Sequence, residues 1–147
     1  MAIDTRNTFQ TNPDRVQNGS NKAKITVFHC FTALTDTAFL EDKDYEVQLV
    51  KMPCSSATRE VFLLRAFESG ADAAVVLVCP EGTCRYLQGN LRAAKRVARV
   101  KKILDEIGLD GRRLNIYNIP HRDQAAVERV LEKTAADLVT LGLSPAR

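Results

Sequence analysis

The sequence lacks a run of apolar residues long enough to cross a membrane. Its longest apolar run, residues 73–80, has the length of a buried strand, whereas a membrane-spanning helix needs about 20 such residues. The first 24 residues are polar and lack the apolar segment of a secretory signal. From these two absences we expect a cytoplasmic protein.

Several motifs of catalysis and nucleotide binding are also missing. The chain has no P-loop and no G-x-G-x-x-G motif, which argues against nucleotide binding by those routes. Its Asp and Glu residues show no paired arrangement suited to acid–base catalysis, so we assign no catalytic residue. It has only four cysteines, and no two have the C-x₂-C spacing of zinc ribbons or thioredoxin-type dithiols.

What is present is a regular alternation of strand and helix patterns. Residues 1–23 read as a polar N-terminal arm and residues 24–147 as one folded domain. Helices are predicted at residues 32–40, 58–68 and 90–107 and from residue 123 onward. The predicted strands are Ile25–His29, Tyr45–Met52, Ala73–Val78 and Leu114–Ile119.

This order predicts an α/β fold, a flavodoxin-like doubly wound parallel sheet of about four strands with strand order 2-1-3-4 and helices on both faces. For the helix over 90–107, the apolar pattern predicts a core-facing side made of Leu91, Ala94, Val97, Ala98, Leu104 and Ile107. For the last helix it predicts Val127, Val130, Leu131, Ala135, Leu138 and Val139.

All four cysteines fall where predicted strands end. Cys30 follows the first strand, Cys54 the second and Cys79 the third, and Cys84 lies in the next loop. Because the carboxyl ends of parallel strands share one edge, which is the ligand-binding edge of such sheets, we expect the thiols to converge there. Four thiolates together suit an iron–sulfur cluster or a zinc ion. A redox dithiol of Cys79 and Cys84, or simple packing of the cysteines, is the alternative.

The stretch from Cys54 onward resembles a known family. The segments "MPCSS", "AFESGADAAVVLVC" and "CRYLQGN", together with the C-x₄-C spacing of Cys79 and Cys84, are similar to the delta subunit of methyl-viologen-reducing hydrogenase, a family of small iron–sulfur subunits associated with heterodisulfide reductase. The resemblance covers residues 24–119, most of the predicted domain.

The resemblance implies a non-catalytic electron-transfer subunit with a [2Fe–2S] cluster as cofactor. Such a subunit passes electrons between a hydrogenase, dehydrogenase or reductase module and a flavin-containing, heterodisulfide-reductase-like subunit. The setting is an anaerobic and sometimes electron-bifurcating complex, and thus a hetero-oligomer. Two rival functions stay open: a structural adaptor with zinc or no metal, and a dithiol redox protein.

The sequence departs from the family in one respect. Members usually carry two or three cysteines just after the first strand, whereas this chain has only Cys30 there. A four-cysteine site must therefore use Cys30, Cys54, Cys79 and Cys84, with His29 as the substitute ligand if one thiol is out of reach.

Basic residues are concentrated beside the cysteine loop. Either they form a solvated helix face, or they dock an acidic partner and orient it. Nucleic-acid binding has no support, because no aromatic residues are interleaved with these charges. The basic residues are Arg85, Arg92, Lys95, Arg96, Arg99, Lys101 and Lys102.

Overall fold

A four-stranded sheet with helices on both faces forms the described part of the chain. The computed structural model describes residues 22–30, 40, 43–52, 59–78, 89–120 and 122–145. The helix predicted at residues 32–40, apart from residue 40, and residues 1–21 of the predicted arm lie outside that part. The elements, in chain order, are strand β1 (Ala23–Cys30), strand β2 (Tyr45–Met52), helix α1 (Glu60–Glu68), strand β3 (Ala73–Val78), helix α2 (Gly89–Glu106), a 3₁₀ turn (Gly111–Arg113), strand β4 (Leu114–Asn118) and helix α3 (Gln124–Leu141).

The strands are parallel and lie in the order β2-β1-β3-β4. Ile25 of β1 pairs with Val47 of β2 on one side and with Ala73 of β3 on the other, and Val76 of β3 pairs with Ile116 of β4. β1 therefore lies inside the sheet, with β2 on one side and β3, followed by β4, on the other. The predicted flavodoxin-like order 2-1-3-4 is confirmed.

Alternate residues of the central strands enter two separate cores. Val27 and Val75 point toward α3, whereas Phe28 and Val76 point toward α1 and α2. All six residues of β3 are buried, as expected for a central strand covered on both faces. Helices thus cover both faces, as predicted. In the described part of the chain, no helix is both long enough and apolar enough to cross a membrane.

The core-facing side predicted for α2 is wrong at several positions. Leu91 and Ile107 are 48% and 60% exposed, and the predicted Ala94 and Ala98 are exposed as well. The buried residues recur at helical spacing but in a different register. In this register the small Ala93 is buried and the larger Leu91 is exposed. The buried residues are Ala93, Val97, Val100 and Leu104.

In α3, the prediction fails at Val139. Its side chain is 85% exposed, and the buried positions of this turn are Thr134 and Leu138. Thr134 occupies a core position because its hydroxyl donates a hydrogen bond of 2.8 Å to the carbonyl of Val130, which satisfies its polar group inside the helix. A pattern of apolar residues alone omits Thr134, and the predicted core-facing side therefore included Val139 instead.

A buried polar network closes the amino-terminal edge of the sheet. The carboxylate of Asp72 is fully buried and accepts from the backbone N–H groups of Lys24 (2.8 Å) and Ser144 (2.7 Å). Arg113, 4% exposed, donates to the carbonyl of Asp72 at 3.1 Å. Its guanidinium also donates to the carbonyls of Leu109, Leu141, Gly142 and Leu143. The network ties the end of α3 to β3 and β4.

Candidate functional site

The three strands that precede the cysteines are neighbours in the sheet. β2, β1 and β3 lie side by side and parallel, so their carboxyl ends share one edge. Cys30, the last residue of β1, pairs with Met52, the last residue of β2, and His29 pairs with Leu77 of β3. Between β1 and β3 the chain connections reverse direction, which is where open α/β sheets bind ligands. The strand ends that lead into the cysteine segments therefore meet at a ligand-binding edge.

Of the predicted ligands, the structure describes the backbone of Cys30. The side chain of Cys30 lies outside the described part, as do Cys54, Cys79 and Cys84 entirely. In the sequence, Cys54 is the second residue after β2 and Cys79 is the first after β3. The order of the strands agrees with convergence, and the ligand set itself stays a prediction.

His29, the predicted substitute ligand, is a buried residue of β1. It is 4% exposed and interacts with its surroundings. By strand alternation it shares the side of Val27, which faces α3. Its environment is that of a packed core residue, so we retain the four cysteines as the predicted ligands.

Among the His, Cys, Asp and Glu side chains that the structure describes, no three are grouped as ligands of a metal ion would be. The thiols of all four cysteines lie outside these described side chains.

Five basic residues form a stripe along one side of α2, opposite its buried side. They recur at spacings of three and four residues and extend over about 15 Å of helix. Arg99 is 72% exposed, Arg96 is half-buried, and the other three are exposed. We call this set the α2 basic stripe: Arg92, Lys95, Arg96, Arg99 and Lys102.

Two residues of the predicted basic surface do not belong to this stripe. Lys101 lies on the side of α2 that faces β4, where its ammonium donates to Oδ1 of Asn115 at 3.3 Å. Arg85 lies outside the described residues.

Glu60, the first residue of α1, lies against the stripe. Its Oε1 is 3.3 Å from Nη1 of Arg99. A backbone hydrogen bond at Glu60 itself lowers the pKa of this carboxyl, and the hydrogen bond from Arg99 and the charges of Arg96 and Arg99 lower it further. The carboxylate is thus held ionised beside the cationic side of α2.

A cavity of about 610 Å³ lies at the opposite, amino-terminal edge of the sheet and was not predicted. Lys43 on its wall pairs with Glu128 at 2.7 Å, across 85 residues of sequence. The hydroxyl of Tyr45 is buried there and has no hydrogen-bond partner among the described residues. Burial raises the pKa of Tyr45. The cavity is separate from the edge where the cysteine segments begin.

Comparison with known proteins shows a family whose sequence profile matches most of this chain. The sequence profile described as methyl-viologen-reducing hydrogenase, delta subunit, matches residues 25–142. That range includes every described strand and helix from the start of β1 to the end of α3, apart from the first two residues of β1.

Similar curated proteins carry two kinds of name. The D-type iron-sulfur subunit of the F420-non-reducing hydrogenase vhu of Methanocaldococcus jannaschii is 33% identical over 99 residues, which cover 67% of this chain and 74% of that protein. The D-type iron-sulfur subunit of the F420-non-reducing hydrogenase of Archaeoglobus profundus is 30% identical over 96 residues, covering 65% and 70%. The A-type subunit of the ferredoxin:CoB-CoM heterodisulfide reductase of Methanosarcina mazei is 30% identical over 96 residues, 65% of this chain but only 12% of that protein.

Proposed function

Because the chain belongs to the methyl-viologen-reducing hydrogenase delta-subunit family, we propose that it is a small electron-transfer subunit with a [2Fe–2S] cluster held by Cys30, Cys54, Cys79 and Cys84. When bound, the cluster supplies a one-electron redox centre. We place this centre in residues 24–147, within a cytoplasmic, anaerobic oxidoreductase complex. The subunit itself contributes no catalytic residue to the proposal.

The observation that carries the proposal is the adjacency of β2, β1 and β3 at their carboxyl ends. Neighbouring strands lie about 4.8 Å apart, and an extended chain adds at most about 3.6 Å per residue. Cys54 and Cys79 follow their strands by two residues and one residue. Short tethers from three adjacent strands keep these cysteines within reach of Cys30.

The donor set also fits the group. Thiolates are the usual ligands of [2Fe–2S] clusters, and four of them complete the coordination of two irons. The chain has four cysteines, so the proposed cluster uses every thiol of the chain. Loss of any one cysteine should therefore impair the cluster, because no spare thiol can replace it.

The relatives suggest which partners the subunit joins. In the A-type heterodisulfide reductase protein of M. mazei, the matching region is 12% of a single longer polypeptide. A domain that is fused to a protein in one organism commonly works beside that protein elsewhere. We propose that this chain docks on a flavin-containing protein similar to that A-type reductase protein, and that a hydrogenase, dehydrogenase or reductase module is its other partner.

The test is to purify the full chain anaerobically with iron and sulfide and to measure metal content and the EPR spectrum. We expect about two iron atoms and two labile sulfides per chain, a brown colour and an EPR signal on reduction. Serine variants of each cysteine should lose iron. Met52→Leu, a volume-conserving change at the same edge, is the matched control and should retain it.

Other outcomes would replace the proposal. One equivalent of zinc without labile sulfide would identify a structural adaptor. A colourless chain free of both metals would reject a metal centre, and a reversible Cys79–Cys84 disulfide in that chain would identify the dithiol protein. Full iron content in Cys30→Ser, lost on adding His29→Ala, would overturn the four-cysteine ligand set.

A further inference from the structure

We infer that the α2 basic stripe is the docking surface for an acidic face of the partner protein that exchanges electrons with this subunit. The inference rests on the proposed function for the identity of the partner. Its physical basis is independent of the cysteines and lies in the charges of α2.

The stripe is a concentration of one charge on a nearly neutral chain. The whole chain has a net charge of +3, whereas α2 alone contains six basic residues and only two acidic ones, Asp105 and Glu106, at its last two positions. The positive field of the molecule therefore comes mainly from one helix.

Most of the stripe lacks an internal counter-charge. Arg99 pairs with Glu60, and half-buried Arg96 is also engaged with its surroundings. For Arg92, Lys95 and Lys102 the described part of the chain supplies no carboxylate partner. Three exposed cations are thus left for an external anion.

The charges are also arranged against the stability of the isolated helix. The amino-terminal end of a helix favours acidic residues and the carboxyl-terminal end favours basic ones, yet the first turn of α2 has no acidic residue and the last turn has no basic one. Like charges at spacings of three and four residues also repel each other. An arrangement that opposes local stability on an exposed surface points to an interaction outside the chain.

Protein rather than nucleic acid is the occupant that the surface favours. Proteins that bind single strands stack bases on aromatic residues, and α2 contains no aromatic residue. Its amino-terminal end follows the loop that leaves β3, so the stripe starts at the carboxyl edge of the sheet. An acidic partner attracted to α2 would therefore be oriented toward the edge proposed to hold the cluster.

The test measures association of the full chain with the A-type heterodisulfide reductase protein of the same organism, at low and high salt. The variant is Arg92→Glu with Lys95→Glu. We expect its association rate at low salt to fall about tenfold or more. The rate for the unmodified chain should decrease as salt increases, and the variant should lose most of that dependence.

The matched control is Arg129→Glu with Lys133→Glu on α3, which changes the net charge by the same amount on the opposite face. Its association rate should stay within about twofold of the unmodified chain. An equal decrease in both variants would overturn the inference, because net charge rather than the stripe would then be responsible. Failure of the unmodified chain to bind would overturn the assignment of the partner.

Three further measurements separate the alternatives. Arg92→Glu alone should raise the melting temperature, because it places an acidic residue in the first turn of α2. Weaker docking of this variant could then not be attributed to unfolding. Loss of binding to homopolymeric RNA, with partner binding unchanged, would identify a nucleic-acid surface instead. Loss of self-association in sedimentation, again with partner binding unchanged, would identify a contact between copies.

Iron content separates this inference from the proposed function. Charge-dependent docking by a chain that holds no iron would refute the cluster and retain the stripe. Full iron content with charge-independent docking would refute the stripe and retain the cluster.

Discussion

The two long helices of this protein have the same length but opposite relations between charge and helix dipole. α2 and α3 each contain 18 residues, and they cover opposite faces of the sheet. α3 is capped by Asp123, whose side chain accepts from the backbone N–H of Ala126 at 3.0 Å. Its last carbonyls accept from the guanidinium of Arg113. α3 thus has a negative group at its amino end and a positive group at its carboxyl end, as the dipole favours.

Within α2 itself, the first turn has no acidic residue and the last turn has no basic one. Its six basic residues are distributed evenly about its midpoint, and Asp105 and Glu106 close the helix. Four buried residues attach α2 to the sheet and to α1. α3 is therefore stabilised by its ends as well as by its core face, whereas the residues of α2 itself contribute burial without favourable charges at the helix ends. The exposed Arg92, Lys95 and Lys102 are then available to a partner.

The largest expected effect is at Arg113. Replacing it by Met keeps the aliphatic stem and removes the donors to the carbonyls of α3 and of Asp72. Because these buried acceptors would lose their partners, we expect the free energy of unfolding to fall by about 3 kcal/mol. Urea denaturation followed by circular dichroism measures the loss.

Arg129→Met is the control for Arg113→Met. Arg129 is an exposed residue of α3, and its replacement should change stability by less than about 0.5 kcal/mol. A loss of under about 1 kcal/mol for Arg113→Met would contradict the comparison, because the end of α3 would then need no cation.

A medium effect is expected at Asp123. Asp123→Ala removes the acceptor for the N–H of Ala126 and should lower stability by about 1 kcal/mol. Asp123→Asn keeps the acceptor without the charge, so its difference from the unmodified chain isolates the interaction with the dipole. Thermal denaturation of both variants measures it. Equal stability of all three proteins would show that Asp123 does not stabilise the amino end of α3.

The fold was largely predictable because its signals are local. The continuous apolar run of β3 and the alternation of strands and helices lead directly to a parallel sheet. The core-facing sides of helices were less predictable, because the residues that face inward include Ala93 and Thr134, which a search for large apolar side chains passes over. Arg113 could not be found from sequence, since its partners Asp72 and Gly142 are 41 and 29 residues away.

The candidate site likewise has local features that were predictable from sequence and long-range contacts that were not. The positions of Cys30 at the end of β1, and of Cys54 and Cys79 just after β2 and β3, are local features, and the order of those strands is confirmed. The sequence could not show that, within the described part of the chain, Arg99 is paired and Arg92, Lys95 and Lys102 are not, because the partner of Arg99, Glu60, lies 39 residues earlier on another helix. Spacing along α2 identifies a basic side, but only the fold shows which of its charges are already matched.

The smallest expected effect concerns the local potential at α2. Glu60 has a lowered pKa, first from its own backbone hydrogen bond and then from Arg99 and Arg96. A group with a lowered pKa in the folded state favours folding once it is ionised. Its contribution is therefore complete above about pH 4.3, the ordinary pKa of a glutamate, and is lost as the pH falls through the lowered value.

Arg99→Gln should raise the pKa of Glu60 toward its ordinary value, because it removes both a hydrogen bond and a charge. Titration of the Glu60 carboxyl carbon by NMR measures the shift, and Arg129→Gln on α3 is the matched control. An unchanged pKa in Arg99→Gln would mean that solvent screens the stripe even at contact distance. The difference between the two helices would then be one of sequence and not of electrostatic potential. A raised pKa in Arg99→Gln alone would show that α2 presents a positive field which a partner can sense.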